Sequence, residues 1–495
     1  MKKIVLCILD GLGYREESFG NAFLEAGASS INKLLKEFPN SKLIASGEVV
    51  GLPSGQMGNS EVGHMTIGTG RVLMQPLSVI NKAISNGSFY TNAEFLKVID
   101  FVKENKSRLH IFGLLSDGGV HSHISHIFAL IDMAMEHGVE TYIHVVLDGR
   151  DVSYNSALSY LDMLSSYISD KNCYIATISG RYYAMDREGV WDRTELCYRA
   201  IFNGIGPFND DYKSIISTSY DLEIYDEFVV PTVVNRNGVF CDGDGMIIAN
   251  FRPDRLNQLF SVVTDSSSSV FSVNDYSNIR CVSMMPISDR VKCSFAFAHN
   301  VVEKSLGEVL SSNGLRVLRI AETSKYPHIT HFFDGDRDIS FKGTSKICVP
   351  RKRVDTYDIE PSMSAYEITD KVISVMNDYD FIVMNYANCD MVGHTGNYGA
   401  AVKAVSAVDK CVMNLYEACF NNDYLLVICA DHGNIEEMIR NGEPMTMHTT
   451  NPVYFIVCDK AYRVRNGSLS DIAPSLLSVL GIEIPDEMTG NIIVY

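Results

Sequence analysis

The sequence predicts an α/β protein built on parallel sheets covered on both faces. Three observations carry that expectation. Apolar runs rich in Val, Ile and Leu alternate with helical patterns along the whole chain. The runs are nearly uninterrupted rather than alternating, as expected of strands buried on both faces. A polar cluster follows directly on the carboxyl end of run after run, which is the edge where open α/β sheets bind ligands. At 495 residues the chain exceeds one ordinary core and points to two or three domains.

The first run, K-I-V-L-C-I-L at 3–9, reads as a buried strand. Two basic residues, Lys2 and Lys3, stand at its start, but an acid ends it and no small-residue cleavage site follows, which argues against a signal peptide. Further strands are expected at 110–115, 141–147, 173–178, 246–250, 315–320, 381–386, 424–430 and 453–457, with a strand-like L-I-A-S at 43–46. Helices are expected over 127–137, 155–168, 364–377, 399–419 and 470–480. The serine run Ser266 to Ser269 reads as a surface loop, and no internal repeat is visible.

Hydrophobic content of 46% and charged content of 21% are ordinary globular values. No apolar run approaches the ~20 residues that span a bilayer. Twelve cysteines are scattered without a C-x-x-C pair, several inside strand runs, so reduced, buried thiols of a cytoplasmic protein are expected. A net charge of −18 argues against nucleic acid and anionic membranes as partners. It leaves room for a small anionic substrate, because a local group of Arg or metal reverses the field in one cleft.

Seven polar clusters follow strands: D-G-L-G at 10–13, S-D-G-G-V-H at 116–121, D-G-R-D at 148–151, S-G-R at 179–181, N-F-R-P-D-R at 250–255, A-N-C-D at 387–390 and D-H-G-N at 431–434. Any one alone is an ordinary loop; their shared polarity makes independent loops a poor account. Among them Asp10, Asp390, His394, Asp431, His432 and His448 form a metal-type set. Asp390 and His394 are four apart, on one face of a helical turn. Carboxylates and imidazoles without thiolate suit Mn²⁺ or Zn²⁺, and six such groups suggest two ions.

Residues 54–64, S-G-Q-M-G-N-S-E-V-G-H, are poor core material. A surface turn is one account; the other is an exposed, rigid Ser60 at a helix start. Metal coordination would activate the hydroxyl, and the helix N-terminus would favour a phosphoryl group. Gly58 and Gly63 are expected to let the backbone approach metal and phosphate. Ser54 is a rival nucleophile, farther from the helix start. The middle third contributes His121, Arg150, Asp151, Arg181, Arg187, Arg252 and Arg255, and Lys325 could add a cation. Guanidinium forks bind carboxylate and phosphate bidentately, so converging arginines suit a small polyanion; singly, each would be an ordinary surface ion pair.

Together these stretches, with N-Y-A-N-C-D-M-V-G-H-T-G and H-T-T-N-P, resemble the cofactor-independent (2,3-bisphosphoglycerate-independent) phosphoglycerate mutases of the alkaline phosphatase superfamily. The resemblance runs from residue 10 to residue 452. It implies two three-layer α/β domains: an alkaline-phosphatase-like, metal-binding domain, 1–76 with 300–495, and an inserted transferase-like, substrate-binding domain, 77–299. It also implies two Mn²⁺ ions, one on Asp390, His394 and His448, the other on Asp10, Ser60, Asp431 and His432. Ser60 would take the phosphoryl group of 3-phosphoglycerate and return it to the 2-hydroxyl. His121, Arg150, Asp151, Arg181 and Arg187 would hold the glycerate, with Asp151 a candidate for proton transfer. Arg252, Arg255 and Lys325 would grip the phosphate. A cytoplasmic monomer of glycolysis and gluconeogenesis, needing no 2,3-bisphosphoglycerate, is the expectation. Two positions depart from the family pattern: Glu188 follows Arg187 where many relatives have Asp, and Cys389 precedes Asp390 where Pro is commoner. The missing Pro could loosen the approach to Asp390, and the thiol could make activity sensitive to oxidation or to soft metals. A phosphatase or phosphopentomutase-like enzyme on the same metal core, and a catalytically inactive binding protein, are the alternatives.

Overall fold

The structure is a computed structural model that describes residues 2–298 and 302–495. The chain divides into two compact units, Met1–Gln75 with Asn300–Tyr495, and Pro76–His299. The first crossing lies one residue from the expected 76/77; the expected boundary at 299/300 lies outside the described residues.

Strands β1 (Lys3–Leu9) and β2 (Asn40–Ile44) precede the crossing into the second unit. That unit holds β3 (Leu109–Leu114), β4 (Thr141–Leu147), β5 (Cys173–Gly180), β6 (Thr232–Val233), β7 (Gly245–Ile248), β8 (Arg280–Ser283) and β9 (Ser294–Phe295). The chain then adds β10 (Val317–Glu322), β11 (Thr344–Val349), β12 (Phe381–Tyr386), β13 (Tyr424–Cys429), the short pair β14 (Ile439–Arg440) and β15 (Glu443–Pro444), β16 (Val453–Val457) and β17 (Gly467–Ser468).

The first unit's sheet runs β11-β10-β12-β1-β13-β16-β2-β17. Its five leading strands are parallel, while β16 pairs antiparallel with both β13 and β2. The sheet is therefore mixed rather than wholly parallel. Strand β1 lies at its centre, and its apolar run is buried from Ile4 to Leu9. The second unit's sheet runs β6-β5-β4-β3-β7-β8-β9, parallel except for β6. Side chains alternate between its faces: Ile111 and Ile247 pack in one apolar cluster, and Phe112 and Ile248 in another. Both faces are thus covered by helices and loops, which gives the three-layer α/β arrangement of the expected class. All twelve cysteines are free thiols.

Strand β10 carries a charged side chain into the core. Arg319, on β10, is fully buried, and its Nη1 and Nη2 donate to the two oxygens of the equally buried Asp334 at 2.5 and 2.9 Å. Nη1 also donates to the carbonyls of Ile329 and Thr330. The pair closes the segment between β10 and Asp334, which carries Lys325.

Candidate functional site

In the first unit β12, β1 and β13 are neighbours and run the same way, so their carboxyl ends meet at one edge. Asp10 follows β1, the helix Asn388–Gly393 follows β12 and presents Asp390, and Asp431 with His432 follows β13. Ser60 is the first residue of the helix Ser60–Thr69. Its N-cap is Asn59, whose side chain accepts from the Val62 N–H at 2.9 Å, a local reason for the helix to begin there.

The Ser60 hydroxyl is buried among catalytic-type groups. Its Oγ lies 2.9 Å from His432 Nε2 and donates to Asp10 Oδ1 at 3.1 Å. Lys325 Nζ donates to the same Oγ at 2.5 Å, to Asp10 Oδ1 at 2.8 Å and to Asp390 Oδ2 at 2.6 Å. Ser54, by contrast, sits exposed in a turn.

The donor set fits divalent cations. His394 Nδ1 donates to the Thr446 carbonyl at 2.7 Å and His448 Nδ1 to the Gly58 carbonyl at 2.8 Å. Each Nδ1 thus carries a hydrogen, and in the neutral ring each Nε2 has a lone pair to offer. The two Nε2 atoms point at one another across 3.0 Å, with Asp390 Oδ1 at 3.2 and 3.0 Å from them. Lone pairs so placed repel unless a cation lies between them. Asp431 supplies a second sign. Its buried Oδ2 accepts no well-aligned hydrogen bond; the nearest donor, His64 Nδ1 at 3.1 Å, is aimed at the Ser60 carbonyl. Asp390, His394 and His448 form one ligand group; Asp10 with Asp390 and His432, and Asp10 with His64 and Asp431, form others.

Electrostatics point the same way. Burial opposes ionisation of Asp10, but Lys325 and His432 outweigh it and hold the carboxyl well below its usual range. Burial likewise opposes ionisation of Asp390, and Lys325, His394 and His448 overcome it. Burial disfavours a charged His432, yet Asp431, Asp10 and Asp390 raise it to about 9. A pocket that draws protons onto imidazole this strongly is one that attracts metal cations.

In the second unit β5, β4, β3 and β7 are parallel neighbours, and the clusters after them form a basic cavity of about 280 Å³. Its lining includes Arg150, Arg181, Arg187 and Arg255. Arg181 is buried, and its Nη1 donates to Asp148 Oδ1 and Asp151 Oδ2, both at 2.6 Å. Asp148 also accepts from Ser116 Oγ and from the N–H groups of Arg150 and Asp151. Asp254 gathers three more of the expected residues: Arg187 at 2.9 Å, Arg252 at 3.3 Å and His121 at 3.6 Å. Burial, then Arg181, lowers His121 to about 4. Burial and the neighbouring Arg187, Arg181 and Arg150 lower Arg255, as expected where guanidinium groups crowd without enough counter-charge.

Several features differ from expectation. Gly58 and Gly63 admit protein rather than ligand: a Cβ at 58 would lie 2.1 Å from the Ala45 carbonyl oxygen, and one at 63 would lie 2.6 Å from that of Asp431. Cys389 is buried and burial raises its thiol, so no reactive thiolate lies beside Asp390. Asn388 firms the approach that a Pro would stiffen, donating to the carbonyls of Pro361 and Ser362, both at 2.8 Å. Sequence reading passed over Asp148, Asp254, His64, Asn385 and Glu436. Glu436 accepts from the N–H groups of Gly13 and Asn434, from Asn451 Nδ2 and from the Thr449 hydroxyl. It ties together the loops bearing Asp10, Asp431 and His448. A lone polar residue in an apolar strand (Asn385) and a His one helical turn after Ser60 (His64) were the signals available.

A family profile described as the Metalloenzyme superfamily matches residues 2–484. The chain is 44% identical over 501 residues to a 2,3-bisphosphoglycerate-independent phosphoglycerate mutase of Moorella thermoacetica, covering 99% of this chain and 98% of that one. Its structure is similar to that of a Leishmania mexicana phosphoglycerate mutase determined at low cobalt concentration, with a TM-score of 0.68, 28% identity and coverage of 100% and 98% of the two chains.

Proposed function

The chain belongs to the 2,3-bisphosphoglycerate-independent phosphoglycerate mutases, within the Metalloenzyme superfamily, and from that premise we propose that it interconverts 3-phosphoglycerate and 2-phosphoglycerate through a phosphoserine on Ser60. The observation that carries the reading is the Ser60 oxygen, buried at a helix start between Asp10, His432 and Lys325. Two Mn²⁺ ions are assigned to the site, one on Asp390, His394 and His448 and one on Asp10, Ser60, Asp431 and His432. When bound, they would lower the pKa of the serine hydroxyl and neutralise the phosphoryl oxygens.

The chain's own residues supply the rest. Asp10 orients the Ser60 hydroxyl hydrogen, and the Lys325 ammonium stabilises charge that develops on Oγ as it attacks phosphorus. Ser60 gives up its proton as Oγ bonds to phosphorus, the bond from phosphorus to the substrate's 3-oxygen breaks, and that oxygen takes up a proton in turn, so the transfer is proton-neutral. The arginines at 150, 181 and 187, with His121, hold the freed glycerate, and Arg252 and Arg255 hold the phosphate side. Arg181 fixes the Asp151 carboxylate, which is suited to pass a proton between the 3-oxygen and the 2-hydroxyl. The 2-oxygen then takes the phosphoryl group back and Ser60 is restored, so no 2,3-bisphosphoglycerate is consumed. The same reading assigns the protein to glycolysis and gluconeogenesis as a cytoplasmic monomer whose partner is the small acid. No helix among the described residues is long and apolar enough to cross a membrane.

The test supplies 3-phosphoglycerate to the purified protein and resolves products by phosphorus NMR, after chelation and again after adding Mn²⁺. Formation of 2-phosphoglycerate that stops on chelation and returns with Mn²⁺ is expected. Ser60→Ala should abolish it while Mn²⁺ binding persists, and Ser54→Ala should leave it near the wild-type rate. Inorganic phosphate without 2-phosphoglycerate, or turnover retained in Ser60→Ala, would overturn the reading.

A further inference from the structure

His64 is fully buried, one helical turn after Ser60. Both of its ring nitrogens are engaged by protein. Nδ1 lies 2.9 Å from the Ser60 carbonyl oxygen and 3.1 Å from Asp431 Oδ2. Nε2 lies 3.0 Å from Nδ2 of Asn385, a fully buried residue of β12. The same Nδ2 donates to Asp10 Oδ2 at 2.8 Å.

These distances fix the tautomer. An amide nitrogen only donates, so His64 Nε2 is an acceptor and the ring hydrogen is on Nδ1. Turning the Asn385 amide over would set its oxygen against the Asp10 carboxylate, oxygen facing oxygen at that short distance. The Nδ1–H is therefore aligned on the Ser60 carbonyl, with Asp431 Oδ2 lying 3.1 Å away to one side. Although His64 falls into one metal-type group with Asp10 and Asp431, it has no free nitrogen to offer an ion.

We infer that His64 and Asn385 are positioning residues: a continuous path of polar contacts from Asp431 through His64 and Asn385 to Asp10 that sets the two carboxylates against Ser60. Neither residue touches the substrate. The inference rests on the proposed reading that Asp10 and Asp431 share a cation with Ser60. His64 packs against Asp431 Oδ2 at 3.1 Å and reaches Asp10 through Asn385, while its hydrogen bond to the Ser60 carbonyl ties both to the helix that carries the nucleophile. Partners behind ligands of this kind typically change metal affinity or activity by 10- to 100-fold.

The experiment titrates Mn²⁺ alone into the metal-free full chain by calorimetry, then measures kcat and KM for 3-phosphoglycerate at saturating Mn²⁺. His64→Phe keeps a ring and removes both nitrogens. His64→Asn keeps a donor near Nδ1, and His64→Gln keeps an acceptor near Nε2. Asn385→Leu removes the amide at similar volume. His64→Phe and Asn385→Leu should each weaken Mn²⁺ binding roughly 10- to 100-fold and lower kcat, with KM within about twofold of wild type. His64→Asn should recover most of the affinity, and His64→Gln less. Wild-type Mn²⁺ affinity and kcat in Asn385→Leu and His64→Phe, with only a lowered melting temperature, would reduce the pair to structural residues and overturn the inference. Should His64→Phe not fold, the other two substitutions decide: Asn binding Mn²⁺ no more tightly than Gln overturns it. Absence of Mn²⁺ binding by the wild type is a separate result, which overturns the functional reading and this inference with it.

Discussion

Replacing Asp334 by Asn should destabilise the metal-binding unit out of proportion to the loss of one atom's identity. Arg319 is fully buried, and Asp334 is the one carboxylate paired with it among the described residues. A guanidinium cannot escape by losing its proton. Asn keeps one acceptor for the fork but turns an N–H donor toward the other arm and leaves a full positive charge in the core. Breaking a buried pair from one side costs about 3–5 kcal/mol. The carbonyls of Ile329 and Thr330 remain as partners and keep the value from rising above that range. The single tryptophan, Trp191, lies in the other unit, so fluorescence is the wrong probe. Amide hydrogen exchange of β1, β10 and β12 reads the effect directly. Where exchange follows unfolding of that unit, a loss of that size means roughly 150- to 5,000-fold faster exchange. The double substitution Arg319→Met with Asp334→Leu removes both charges and should recover most of the loss. A fall below about 1 kcal/mol in Asp334→Asn, or a double variant no more stable than the single one, would refute this account of the pair.

Gly63→Ala should lower the melting temperature and the turnover together, at a cost of about 1–3 kcal/mol for overpacking, because the added Cβ would lie 2.6 Å from the Asp431 carbonyl oxygen and push the Ser60 helix away; an unchanged melting temperature would contradict it. A pH effect is expected in the other unit. His126 is buried, its Nε2–H donates to Asn81 Oδ1 at 2.8 Å, and its Nδ1 has no partner. Burial, then His123, lowers it to about 3, so the unfolded chain takes up the proton first as pH falls. Stability contributed by the neutral ring is complete above the unfolded value near 6.5 and is lost progressively down to about 3, which amounts to about 2 kcal/mol between pH 7 and pH 5. Urea unfolding followed at Trp191 should show that loss shrinking by about this amount in His126→Gln; equal losses in both proteins would argue against it.

The central strands were legible because a strand buried on both faces has nowhere to place polar side chains: β1, β12 and β13 are almost pure apolar text. Edge elements carried less signal. Strand β11, T-S-K-I-C-V, is only partly buried and reads as a loop. The direction of β16 is invisible in its composition, since V-Y-F-I-V suits either orientation. The helix Ala93–Asn105 went unread although its N-cap, Asn92, accepts from the N–H of Glu94. At the site, groups that end strands were found because their position announced them. Groups that hold those groups were not. Asn385 and Arg319 each interrupt an apolar strand, and the meaning of such an interruption depends on what folds beside it. The two glycines near Ser60 were recognised as constrained, but sequence could not tell that protein rather than ligand crowds them.

Strand β1 ends at Leu9, whereas β13, one of its two partners, ends at Cys429. A ribosome adding about 5–20 residues per second needs roughly 20–80 s to cover that interval. Until β12 is made at Phe381–Tyr386, strand β1 has neither neighbour to pair with, and by then the inserted unit, with apolar clusters of its own, is fully synthesised. Strand β1 is therefore a segment left open to wrong partners during synthesis, and one where protection by a chaperone during translation would matter for yield.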